Sequence, residues 1–557
     1  MKKYSLFLCV ALAGITILFS CSKTYEPVPV EQVTGEYIWD PLDSNGNYAN
    51  QYLTGIYALL PNGYNRIGSD YLDAASDDAI PSRTSVTEVQ KMLTGGITIF
   101  DNPDAGAWAN AYTGIRRCTD FLNNFGIVPL KSAYEKRSRF GEARVMRAFF
   151  YWELVRRWGG VAIVGDSVKG LEDNVEIPRS SFARCVDYIV TECDRAIDSL
   201  RTDPVDDINL GRWSQAGAMA LKAQVLLFAA SPLYNGNEIG DTLNGYPTYD
   251  ANRWQLAANA AKQVMDIGVY QLDPDFRSVF ISQRNNEIIF AKLQGRGRSV
   301  ENQNGPPNFS SAPALGYTSP TQELVDAYGM ANGKPITDPA SGYDANNPYA
   351  NRDPRFYATI LYNGAPWLNT TLETFVGGLS GPGASAGTQT KTGYYTCKFM
   401  ADYSTQTQYG DSYHDWIYFR YADILLSYAE ALNEFSGPGT EVYTAVEAVR
   451  SRAGLNPFTL DAGLSKEQMR DIIRNERRKE FAFEEHRFWD IRRWKIAEQV
   501  YADPLHGMSI IKNASGSFTY NIEPVIQPVF MAAKDYYYPV PYNEMISNSN
   551  MRQNPGW

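Results

Sequence analysis

The sequence predicts a mainly α-helical protein: about four helix pairs carrying a loop-rich, partly β insertion region. Three observations point there. Eight stretches repeat apolar residues at the three-to-four spacing of a helix face. Small alanines recur where those stretches must pack closely, as in WSQAGAMALKAQVLLFAA. Between the helices lie long segments rich in Gly, Pro, Asn, Ser and Tyr.

The chain opens with Met-Lys-Lys, an uncharged run from Tyr4 to Ser20, and then Cys21. A basic start, a short apolar core and a small residue before a cysteine read as an export signal over residues 1–20. The run is slightly short of the roughly 20 apolar residues that cross a bilayer. Its Leu-x-Ser-Cys ending resembles a bacterial lipobox, so Cys21 is the expected lipidated anchor. Residues 21–36, Pro-rich and polar, form the expected tether. The chain carries a net charge of −11, and removal of Lys2 and Lys3 makes it more negative. That argues against nucleic acid as a partner, because phosphate binding needs clustered Lys and Arg. Past Cys21 only Cys118, Cys185, Cys193 and Cys397 remain, too few for a disulfide scaffold. Cys185 and Cys193 stand roughly 12 Å apart along an expected helix, out of bridging reach, so buried free thiols are expected.

Helical periodicity covers residues 108–125, 133–158, 181–200, 214–230, 253–267, 418–434, 441–452 and 466–494. Antiparallel pairs of this kind stack into tetratricopeptide-like solenoids, although the repeat of about 34 residues is degraded here. The insertions, about 61–105 and 294–415, include NQNGPPNFSSAPALGY and GGLSGPGASAG, with strand-like runs at 356–361 and 393–399. Long irregular segments are uncommon in compact domains unless they bind something. Residues 37–557 are therefore expected to form one domain, a helical scaffold with its binding region in these loops.

Chemical motifs are sparse. His414, His486 and His506 come without HExxH or CxxC, which leaves no zinc-like ligand set. DSNGNYAN, from Asp43, starts like a calcium loop, but Tyr48 and Thr54 occupy the positions that need Gly and Glu. The oxygen-rich loop 338–354 reads first as Asx-turns. There is no GxxxxGK[ST], GxGxxG or GxSxG, so no cofactor is implied, and GGLSGPGASAG reads as a flap.

NERRKEFAFEEHRFWDIRRWK, residues 475–495, looks most like a catalytic centre. Glu480 and Glu484 could mimic a glycosidase pair, which in retaining enzymes is about 5 Å apart. On one continuous helix, however, Glu476, Glu480, Phe483, Arg487, Asp490 and Trp494 share a face and aromatics fall on two sides. Carboxylates beside arginines in partial burial become fixed acceptors of low pKa, whereas an acid catalyst needs a raised one. The expectation is structural: Arg477, Arg478, Arg487, Arg492 and Arg493 as bidentate clamps, and His486 as a solvated or hydrogen-bonded helix residue.

RNERRKEFAFEEHRFWDIRRWK also resembles the signature helix of the SusD/RagB family, lipid-anchored glycan-binding outer-membrane proteins of Bacteroidetes-type bacteria. AYTGIRRCTDFLNN, GEARVMRAFFYWELVRRWGGVAIV, IPRSSFARCVDYIVTECDRAI, NRDPRFYATILYNGAPW, YFRYADILLSYAEALNE and YYYPVPYNEMISNSNMRQNPGW are each similar to a family segment, in the family's order. Glu485 departs from the pattern, which usually has glycine there. The resemblance implies a SusD-like fold of four tetratricopeptide-like helix pairs with a shallow site for an oligosaccharide or polysaccharide. It further implies a non-catalytic capture subunit for a SusC-like TonB-dependent transporter.

Trp108, Trp158, Trp213, Trp254, Trp489 and Trp494 fall on helical faces and are expected in the core. The loop candidates for glycan contact are Arg83, Phe100 and Asn102, then Tyr343, Tyr349, Tyr362 and Trp367. Trp367 leads them, because it follows a Gly-Ala-Pro turn and precedes the Gly/Ser segment. Two other readings stand beside this one: an exported glycoside hydrolase with its carboxyl pair in the insertions, and a helical-repeat scaffold that binds only protein.

Overall fold

The computed structural model describes residues 35–170, 172–384 and 389–557. Cys21, the export signal, most of the tether and the centre of the Gly/Ser segment lie outside the described residues. Helix α1 (Asn47–Tyr57) is not among the expected stretches; the expected helices follow it as α2 (Gly106–Asn124), α3 (Ala133–Trp158), α4 (Phe182–Ile197), α5 (Gln215–Ala230), α6 (Asn252–Asp266), α7 (Tyr421–Ser436), α8 (Thr440–Arg452), α9 (Lys466–Glu480) and α10 (His486–Arg493). Their starts are written locally. Ser132, Ser181 and Ser214 each accept a backbone N–H three residues on, and Ser465 forms a full capping box with Gln468.

Consecutive helices are neighbours in space from α2 through α7, and α8 and α9 both pack on α7. This gives four pairs: α2/α3, α4/α5, α6/α7 and α8/α9. Packing is tightest where residues are smallest. A Cβ on Gly114 of α2 would stand 2.4 Å from the Phe150 ring of α3, so only glycine permits that approach. Helix α5 is buried on nearly every side, as its alanines allow, between α4, α6 and α7. The six tryptophans expected in the core are all buried, and the four cysteines among the described residues are buried free thiols.

The third pair carries the larger expected insertion, which is longer than the 294–415 expected: residues 267–420 lie between α6 and α7. The insertion is closed at its neck by an antiparallel pair, β2 (Ile288–Lys292) with β8 (Trp416–Arg420), and β8 runs directly into α7. Phe290 of β2 stacks on Trp213 at 3.8 Å, fixing the neck to the scaffold. A second short pair, β1 (Ala79–Pro81) with β3 (Thr318–Pro320), joins the two loop-rich regions. Pairs β4 (Ile360–Leu361) with β7 (Tyr395–Thr396), and β5 (Pro366–Trp367) with β6 (Thr370–Thr371), lie within the insertion. Hairpin β9 (Leu505–Lys512) and β10 (Phe518–Ile526) follows α10.

Two expectations are corrected. Residues 356–361 are mostly a helical turn, Pro354–Thr359, started by Asp353, whose carboxylate accepts from Arg355 N–H, and by Pro354 at the first turn. The stretch 466–494 is two helices. It breaks at 481–485, where Phe483 and Glu485 take φ of 66° and 62°. Asp73, from the first loop-rich region, accepts Phe483 N–H at 2.9 Å and Glu485 N–H at 3.3 Å. A distant carboxylate thus captures the backbone donors at the corner.

Candidate functional site

The charged corner around the break is an ionic joint. Arg420 reaches Glu287 at 2.6 Å, Glu480 at 2.7 Å and Glu484 at 2.8 Å. Arg355 holds Glu476 at 2.7 Å and Glu480 at 2.9 Å, Arg452 also meets Glu480, and Lys398 meets Glu484 at 2.6 Å. Burial pushes the Glu480 carboxyl up, but Arg452, Arg420 and Arg355 outweigh it and leave the group well below its ordinary range. Glu484 is lowered in the same way, against burial, by Arg420 and Lys398. Neither carboxyl can hold a proton for a leaving group near neutral pH.

Of the five expected clamps, Arg487 is bidentate on Asp77, with both contacts at 2.8 Å, and Arg493 is bidentate on Glu430. Arg477 and Arg478 branch instead, to Asp490 with Asp423 and to Asp78 with Asp77. Arg492 has no carboxylate partner among the described residues; it lies 3.6 Å over the Phe488 ring and donates to the Phe488 carbonyl. His486 stacks on Phe481 and its Nδ1 accepts from Arg477, with burial lowering its pKa. Glu485 uses its carboxylate on Arg66.

The sequence candidates separate into three places. Trp367, the leading one, is 2% exposed: its ring packs on Tyr403 and Tyr409, and its indole N–H donates to the Tyr409 hydroxyl at 3.2 Å. A ring covered on this scale presents no face to a sugar. Tyr349 is likewise buried, in an aromatic cluster with Phe356, Tyr362, Tyr394 and Tyr520. Tyr362 and Tyr343 are half-buried, Tyr362 at the side of that cluster and Tyr343 under the Arg352 guanidinium. Asp338 and Asp344 accept backbone N–H groups within their own loop, and Asp43 does the same for Asn45, Gly46 and Asn47. No cluster of three or more metal-ligating side chains occurs among the described residues.

Arg83, Phe100 and Asn102 lie along one run of contacts, a rim that passes from Arg83 through Gly68, Glu88, Lys91 and Asp101. Arg83 donates to the Gly68 carbonyl and pairs with Asp70, and its guanidinium lies 4.6 Å over the half-exposed Tyr317 ring. Its Nε carries no hydrogen bond among the described residues. Burial raises Asp70 to about 6 against the pull of Arg83. Lys391 is half-buried nearby, its pKa lowered by burial and partly restored by Asp70. From Gly68 the rim continues through Glu88 to Lys91, which bridges Glu88 at 3.1 Å and Asp101 at 3.0 Å. Phe100, 74% exposed, rests against Tyr542 at 4.8 Å, and Asn102 caps Asp104 while its Nδ2 stays unpartnered. The exposed Phe100 ring suits the apolar C–H face of a ligand, and the partly exposed Arg83 guanidinium suits its hydroxyls.

Tyr317, Lys391 and Asp70 were not among the sequence candidates. Tyr317 reaches Arg83 only because β1 pairs with β3, where Ser82 N–H donates to the Tyr317 carbonyl at 2.7 Å. The one local signal is an aromatic directly after Gly316 and before a strand.

Comparison with known proteins accounts for nearly all of this architecture. The family model described as SusD family matches residues 286–557, and one described as starch-binding associating with outer membrane matches residues 43–227. SusD-like protein P38 of Formosa agariphila is 24% identical over 519 residues, covering 89% of this chain and 92% of its own. A SusD-like protein of Bacteroides fragilis superposes with a TM-score of 0.78 at 27% identity, over 94% of this chain and 99% of that one. A SusD-like carbohydrate binding protein of the same organism superposes at 0.74 with 23% identity, over 92% and 100%. Two models of this family together match residues 43–227 and 286–557, most of the scaffold and of the insertion: the chain belongs to the SusD family.

Proposed function

We propose that this protein is a cell-surface glycan-binding lipoprotein, held to the outer membrane through Cys21, that captures oligosaccharides and hands them to a SusC-like TonB-dependent transporter. Residues 37–557 act as one domain, and the protein works by binding, without turnover. The observation that carries the reading is the match of residues 43–227 to a family described as starch-binding and associating with outer membrane. The rim of Arg83, Tyr317, Phe100 and Asn102 lies within that matched segment or directly beside it across β1 and β3, and is the binding surface we assign. The attachment we assign is the lipid on Cys21; no helix among the described residues is long and apolar enough to cross a membrane.

Equilibrium binding of the mature protein to a glycan panel tests this reading. Saturable binding to at least one glycan, without release of new reducing ends, is the expected result. Release of reducing ends would make the protein a glycoside hydrolase. Capture of a large β-barrel with no affinity for any glycan would leave a protein-interaction scaffold. The palmitate or other acyl group on Cys21 is checked by mass spectrometry of the membrane-extracted protein.

A further inference from the structure

A cavity of about 400 Å³ opens where α5, α6, α7 and α9 meet, away from the rim assigned above. Its lining brings together three cations, Lys466, Arg470 and Arg474, and two carboxylates, Glu430 and Glu434. The pairing is uneven. Glu434 is taken by Arg470, through Nε and, at 2.7 Å, Nη2; Lys466 stands 3.7 Å from the same carboxylate and donates to the Glu434 carbonyl. Glu430 is taken by Arg493, at 2.5 and 2.7 Å, and by the Trp494 indole N–H at 2.7 Å. Arg474 has no carboxylate within 4.0 Å and no hydrogen bond to any described residue.

The position of Arg474 sharpens the point. Its guanidinium lies 4.8 Å over the Trp494 ring, which covers one face and leaves the planar edge of N–H donors to be satisfied. Burial holds its pKa below the ordinary guanidinium value; Glu430 opposes that shift, and Arg493 and Arg470 reinforce it. A half-buried guanidinium among other cations lacks the bidentate acceptor that Arg geometry fits. The rest of the lining is Trp254 of α6, Tyr249, which is 57% exposed, Asn235 and the small apolar Ala230 and Pro232. The volume falls within the range of about 300–1,000 Å³ typical of small-molecule sites.

We propose that this cavity binds an oxyanion (a carboxylate, sulfate or phosphate group) carried on a ring-sized body. Arg474 is its bidentate donor, and Tyr249 packs the ring. The site is independent of the rim and of the glycan reading. Calorimetric titration of the mature protein at low ionic strength, with D-glucuronate, inorganic sulfate, inorganic phosphate and neutral glucose, tests it. Tryptophan fluorescence gives a second readout, because Trp254 lines the cavity and Trp494 stacks on Arg474. Saturable glucuronate binding that exceeds sulfate and phosphate, is absent for glucose and weakens with added sodium chloride is the expected result. Arg474→Gln should weaken it at least about tenfold at an unchanged melting temperature, with Arg474→Lys retaining part of the affinity. No saturable binding of any of the three anions, or glucose binding as tightly as glucuronate, would overturn the site. Tighter sulfate or phosphate than glucuronate would overturn the ring-borne ligand. If Arg474→Gln does not fold, Arg474→Lys decides, since wild-type affinity there refutes a bidentate role.

Discussion

The corner at 475–495 and the rim from Gly68 to Phe100 use the same residue types to opposite ends. Both combine arginines, acids and aromatics. At the corner Glu480 is met by Arg355, Arg420 and Arg452, and all four side chains are buried. On the rim the Arg83 side chain is 22% exposed, the Tyr317 ring beneath it is half-exposed and Phe100 is 74% exposed. Buried, mutually paired charge therefore marks a joint, and charge left partly exposed beside an open ring marks a surface that a ligand can reach.

That contrast can be broken at four points. The largest effect is expected from Glu480→Gln, which strips a buried network of its shared acceptor and should cost about 3–5 kcal/mol in urea unfolding. Glycan affinity of the folded fraction should not change, and lost affinity at unchanged stability would move the corner into the site. Trp367→Ala comes next, at about 3 kcal/mol or more from the cavity left between Tyr403 and Tyr409, again without loss of affinity. Binding lost with stability intact would return this ring to the ligand.

Acid titration is the third. Burial opposes ionisation of Glu476, Asp77 and Asp104, but Arg355, the Arg478–Arg487 pair and the Arg157–Arg66 pair respectively overcome it and hold each at about 2. Because these folded values lie below the unfolded ones, their stabilisation is complete above about pH 4.5 and is lost as the pH falls toward 2. Urea midpoints should drop across that window, and less steeply in Glu476→Gln. The smallest effect on the fold is Phe100→Ala, within about 0.5 kcal/mol of wild type because the ring is already exposed. Its glycan affinity should fall by about 1 kcal/mol, and no change would remove Phe100 from the surface.

The scaffold was legible because its signals are local. Helix α3 could be read from Ala133 to Trp158, since Ser132 caps one end and Gly159, at φ 75°, closes the other. The turn at Pro354 carried an equally local signal in Asp353-Pro354, which the apolar run of β-formers after it masked. The break after Glu480 was hinted at only by the family pattern, whose usual glycine at 485 suits the φ of 62° that Glu485 adopts there. No Gly or Pro marks it, and the group that stabilises it, Asp73, lies about 400 residues upstream. The burial of Trp367 is set by Tyr403 and Tyr409, and the pairing of Arg83 with Tyr317 by a three-residue sheet, so neither follows from its own neighbourhood.

The Asp73 contact also sets a clock on the molecule. The amide protons of Phe483 and Glu485 are shielded by a carboxylate that belongs to a different loop. They should exchange with deuterium only when residues 61–105 lift from the corner, whatever the helices on either side are doing. Two amides would then report, in real time, the opening of the segment that carries the proposed ligand rim.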